Sequence, residues 1–88
     1  ESAKEIWERA LGELQIQVSK ANYSTWLKNS QGINYQNDIF LVGVPNTFVA
    51  EWLSKHLYPL ARKTLANILG KNVDVQFIIH QEQPQISP

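Results

Sequence analysis

The sequence predicts an α+β domain in which helices pack on a three-stranded sheet. Apolar residues recur at three- and four-residue steps over 6–18, 48–57 and 60–69, the spacing of amphipathic helices. Ile39-Phe40-Leu41-Val42-Gly43-Val44 and Val73-Asp74-Val75-Gln76-Phe77-Ile78-Ile79 are apolar runs of strand length. Asn37-Asp38, Pro45-Asn46 and Gly70 punctuate the chain where the period changes. With 88 residues, of which 43% are apolar, the chain can build one core. A domain of this size buries roughly 60% of the surface its unfolded chain exposes, so a deep catalytic pocket beside that core is not expected.

The first helix opens on Ser2-Ala3-Lys4-Glu5, a capping box in which the serine oxygen serves the third amide and the glutamate reaches back. Ile6, Trp7, Ala10, Leu11, Leu14 and Val18 then share one face, with Glu5, Glu8, Arg9 and Glu13 opposite. Ile16 falls outside the stripe. Ser19 caps a shorter helix through about Lys28, with Tyr23, Trp26 and Leu27 as its apolar side. Gln31 to Tyr35 is a weak strand, and Gln36-Asn37-Asp38 is a turn, because Asn and Asp tolerate left-handed backbone. The next strand, 39–44, is apolar almost throughout, which predicts cover on both of its faces. The two strands make a hairpin.

Asn46 is the N-cap of a third helix whose stripe is Phe48, Val49, Trp52, Leu53, His56 and Leu57. Tyr58-Pro59 breaks it, since proline lacks the amide donor and disfavours helix in the residue before it. The helix resumes with Leu60, Ala61, Leu65, Ile68 and Leu69 and stops at Gly70. The connection from Val44 to Val73 is long enough to place the last strand parallel to the second, by a right-handed crossover. The order is helix, helix, strand, strand, broken helix, strand over 1–80. Residues 81–88, Gln-Glu-Gln-Pro-Gln-Ile-Ser-Pro, offer one apolar side chain and read as the start of a flexible linker. The absence of methionine leads us to expect a piece of a longer chain.

Eight basic residues balance eight acidic ones, so the basic excess by which a duplex-DNA binder gains most of its affinity is missing. There is no cysteine for disulfides or thiolate metal sites. No apolar run approaches the roughly 18 residues of a membrane span, and no secretory leader is visible. His56 and His80 lie on different elements without metal-ligand spacing. Nucleophile-elbow, dinucleotide and phosphate-loop motifs are absent, and Gly70-Lys71-Asn72 lacks the upstream glycine and the hydroxyl. No catalytic residue is therefore assigned, and an enzyme is not expected. His56 reads as a partly buried side chain bonded to a neighbour, and Asn22-Tyr23-Ser24 as an accidental glycosylation sequon. Lys55, Arg62, Lys63 and Lys71 make a mildly basic flank, most simply a solvated helix face.

Three Trp, three Tyr and three Phe are many for one small core. Trp26 and Trp52 read as core. Trp7 and Phe48 each lie in a first helical turn, where periodicity leans to core but leaves an exposed anchor or base-stacking platform open.

Ile6-Trp7-Glu8, Tyr23-Ser24-Thr25-Trp26-Leu27, the stretch Val44-Pro45-Asn46-Thr47-Phe48-Val49-Ala50-Glu51-Trp52 and the strand ending at Ile79 together carry a resemblance. Over about residues 4–80 the chain resembles the N-terminal domain family (domain I) of the bacterial chromosomal replication initiator DnaA. The resemblance implies a fold similar to K-homology domains, α-α-β-β-α(broken)-β, without catalytic activity or a cofactor; ATP belongs to a later motor domain of such initiators. It implies a cytoplasmic domain that associates weakly with itself, helps load the replicative helicase and docks initiation regulators. The alternative is a weak single-stranded nucleic-acid-binding module. Residue by residue, Ile6 and Trp7 match the family's self-association position, and Phe48 the aromatic of helicase and single-strand contact. Asn22 stands where some members carry an acidic partner-contact residue, so the hydrogen-bonding group is kept and the charge is lost. The Gly-x-x-Gly backbone clamp of K-homology domains is missing, so strong sequence-specific RNA binding is not expected.

Overall fold

The structure, a computed structural model, describes residues 2–80. The linker expected at 81–88 lies outside the described residues. The elements are α1 (Ala3–Gln17), α2 (Lys20–Asn22) running into a π-helical turn (Tyr23–Leu27), β1 (Gln31–Gln36), β2 (Ile39–Val44), α3 (Thr47–His56), α4 (Tyr58–Leu69) and β3 (Asp74–Ile79). This is the predicted α+β arrangement. The sheet order is β1-β2-β3, with β1 antiparallel and β3 parallel to β2.

Local chemistry accounts for the boundaries. At the start of α1 the Glu5 amide donates to Ser2 Oγ at 3.2 Å and the Ser2 amide to Glu5 Oε1 at 3.1 Å, completing the capping box. The Asn22 amide donates to Ser19 Oγ at 3.1 Å, and the Val49 amide to Asn46 Oδ1 at 2.9 Å. Asn37 and Asp38 both take positive φ, 55° and 61°, as the two-residue type I′ hairpin turn requires. Leu57 closes α3 at φ −121°, Pro59 sits in the first turn of α4, and Gly70 ends α4 at φ 77°.

One core joins the elements. Trp7, Leu14, Leu27, Phe40, Val42, Val44, Leu53 and Leu65 are its largest fully buried side chains. The approach of α1 to β1 depends on a glycine. A Cβ added at Gly32 would lie 2.2 Å from the Ala3 carbonyl oxygen and 2.7 Å from Trp7 Cβ, so any side chain there pushes the helix off the strand. Beyond it β1 bulges at Ile33, where the register to β2 shifts between Gly32 and Asn34.

The last strand is pinned to α4 and to the hairpin. The Tyr58 hydroxyl donates to Asp74 Oδ1, Arg62 Nε donates to the Val73 carbonyl at 3.0 Å, and the Asp74 amide donates to the Asp38 carbonyl at 2.8 Å. Lys71 pairs with Asp38 at 2.8 Å, and its ammonium lies 5.7 Å from the Tyr35 ring centre. Tyr58's bond holds the Asp74 carboxyl below the usual carboxylate range, and the same bond raises the Tyr58 hydroxyl.

On β2, Phe40, Val42 and Val44 enter the core, Gly43 is buried, and Ile39 and Leu41 are half-buried without joining the core. The run is apolar along the central strand, which β1 and β3 flank on either side.

Candidate functional site

The helical stripe of α3 divides into two rows. Val49, Leu53 and Leu57 form the row that enters the core. Phe48, Trp52 and His56, also four residues apart, form an adjacent row at the rim. The π-helical turn brings Trp26 to that rim: the Lys28 amide donates to the Tyr23 carbonyl at 2.9 Å, one residue further than an α-helix allows. Within the turn Leu27 is fully buried while Trp26 remains half-buried.

Trp26 and Trp52 stack with ring centres 4.3 Å apart and planes 4° from parallel. Phe48 leans on Trp26 at 5.3 Å and 55°, and the His56 ring lies 4.8 Å from Trp52. Phe48 is 69% exposed. The result is a ridge of four rings across α3 and the π-turn, with Glu51 and Lys55 lining a shallow depression beside it. Such a surface presents flat π-faces and an exposed apolar edge, with a cation within reach.

The predicted site residues separate on this structure. Trp7 is fully buried and Ile6 nearly so. The Trp7 indole N–H donates to Ser30 Oγ at 2.9 Å, Ser30 donates on to the Leu27 carbonyl at 2.6 Å, and the Trp7 ring lies 6.1 Å from Phe40. Both residues of the expected self-association position thus lie inside this fold. Phe48, left open by its position on the wheel, is exposed. Asn22 is exposed at the end of α2, one residue before the π-turn begins. Trp26 and Trp52 are not interior residues as predicted but half-buried ones packed on the core's edge. His56 is exposed against a tryptophan ring rather than hydrogen-bonded in the interior. The four-residue spacing of Phe48, Trp52 and His56 was the available signal for this row. It runs beside the core row of the same helix, and periodicity cannot say which of two adjacent rows turns inward.

Among the described residues, no group of three or more His, Cys, Asp and Glu could hold a metal ion, and no helix is long and apolar enough to cross a membrane. The fold and the ridge define a small α+β domain with a solvent-facing aromatic surface on its second and third helices. The DnaA N-terminal domain family matches residues 4–67, from the first turn of α1 to the last turns of α4. The chain belongs to that family and is thus a domain of a replication initiator.

Proposed function

We propose that this chain is a non-catalytic contact domain, working in the cytoplasm and needing no cofactor of its own, that links initiator molecules to one another, to the replicative helicase and to initiation regulators. The observation that carries the partner role is the exposed Phe48 mounted on the stacked Trp26–Trp52 pair. Stacking makes the platform stiff, so a partner that covers Phe48 orders few side chains in doing so. Asn22, exposed one residue before the π-turn, is assigned to partner contact as an uncharged hydrogen-bonding group. Ile6 and Trp7 contribute to self-association as positioning residues: they hold α1 on the sheet instead of meeting the partner.

The flat rings, with Lys55 beside them, also favour a second use, weak stacking on single-stranded nucleic acid. An NMR titration of the chain with the replicative helicase's N-terminal region, and separately with a short oligothymidine, tests both readings. Shifts centred on Phe48, Trp26 and Trp52, lost in Phe48→Ala, are expected with the helicase at micromolar concentration and with the oligonucleotide only at far higher concentration. Helicase shifts that leave these residues untouched and persist in Phe48→Ala would remove the ridge from the reading.

A further inference from the structure

We propose that the outer face of the sheet is where two copies of this chain meet, face to face about a two-fold axis. The inference rests on the reading of the domain as self-associating and supplies that reading with a surface, since Ile6 and Trp7 are buried.

Register assigns the face. Phe40, Val42 and Val44 point into the core, so Ile39, Leu41 and Gly43 point the other way, joined by Gln76 and Ile78, which pair in register with Leu41 and Gly43. Ile33, Ile39, Leu41 and Ile78 are half-buried, yet none belongs to the core or packs against it. Among the described residues, the helices put their apolar stripes into the core on the opposite face. Gly43 keeps the middle flat and closed: a Cβ there would fall 2.9 Å from Ile33 Cδ1 and 2.7 Å from His80 Cβ, so these two side chains meet over the glycine.

Charge selects a second copy as the occupant. A two-fold contact lays a patch on itself, and each charge near the axis meets its own sign. β1 and β2 contain no Asp, Glu, Lys or Arg, and β3 contains only Asp74, at its first residue and bonded to Tyr58. His80 also reaches this face, its Cβ lying over Gly43. The helices, by contrast, carry Lys4, Glu5, Glu8, Arg9 and Glu13 on α1, Glu51 and Lys55 on α3, and Arg62 and Lys63 on α4. The bulge at Ile33 interrupts the outer edge of β1, so pairing edge to edge is discouraged and the flat face remains.

Area sets the strength. Three strands at about 4.8 Å spacing and six residues long cover roughly 300 Å² per copy, well below the roughly 800 Å² per partner of a stable complex. The association is therefore weak and concentration-dependent. Trp7 and Gly32 seat β1 against α1, so their disturbance reaches this face through β1. The aromatic ridge remains free for another partner.

Sedimentation equilibrium up to millimolar concentration tests the assignment on the wild-type chain, on Gln36→Lys/Gln76→Lys and on Phe48→Ala. Gln36 and Gln76 are exposed, so the double variant adds charge to the face without removing core, and circular dichroism checks its fold. We expect the double variant to associate at least about tenfold more weakly, because four added positive charges share one contact, and Phe48→Ala to match the wild type. If a folded double variant associates like the wild type, the face assignment fails even though self-association stands. If the wild-type chain itself stays monomeric at millimolar concentration, the self-association reading fails and the assignment goes with it.

Discussion

Trp7 and Phe48 each lie near the start of a helix, and the fold gives them opposite tasks. Trp7 is enclosed on all sides, and its indole N–H has one partner, Ser30 Oγ, inside the protein. Removing that oxygen leaves a buried donor unmet. Ser30→Ala should cost about 1–3 kcal/mol in urea unfolding, and Trp7→Ala about 3–5 kcal/mol from the cavity it opens. Phe48→Ala should change stability by less than about 0.5 kcal/mol, as for other surface substitutions, while partner binding is lost. A large destabilisation in Phe48→Ala would show that the ridge is part of the core's support rather than a contact surface.

At the scale of elements, β3 is tied to α4 by the Tyr58–Asp74 bond and to the hairpin through Asp38. Asp74's folded-state pKa is depressed, chiefly by Tyr58's hydrogen bond. Its contribution to stability is thus present above the unfolded carboxylate value of about 3.9 and lost as pH falls through the lower folded value. Tyr58's pKa is raised, so its share is present below its unfolded value of about 10 and lost as pH climbs above it. Melting temperature should fall as pH drops below about 4, and by less in Asp74→Asn than in the wild type. Equal slopes in thermal melts of the two proteins would mean that the bond carries no pH-linked stability. The elements themselves were largely legible in the sequence. The capping box, the Asn46 cap, the Asn37-Asp38 turn and Gly70 each act within a few residues, where local chemistry decides. The π-turn was not legible, because Tyr23–Leu27 reads as ordinary helix until packing places Leu27 inside and Trp26 on the rim.

For the whole molecule, balanced charge governs what the ridge can hold. Among the described residues, Lys55 is the one Lys or Arg lining the depression beside Phe48, and Glu51 lies there too, so few phosphates can be neutralised there. Single-strand affinity measured by fluorescence anisotropy should fall with salt with a log–log slope of magnitude about 1, given roughly 0.7 per phosphate contacted. A slope several times steeper would point to a basic path elsewhere on the surface. The charge-poor outer face of the sheet and the aromatic ridge are separate surfaces, so initiator–initiator and initiator–partner contacts need not compete.

By itself the sequence determined the order of elements, their caps and turns, the parallel return of the last strand and the resemblance to an initiator domain. These follow from side-chain period and backbone preference, which are properties of neighbouring residues. The tertiary structure decided which of α3's two adjacent rows faces out, that Trp7 is enclosed, and that β2 sends Phe40, Val42 and Val44 into the core and leaves Ile39 and Leu41 outside it. Those are facts about what lies across the core from each residue. Burial depends on the partner element, and neither a helical wheel nor an apolar run contains it.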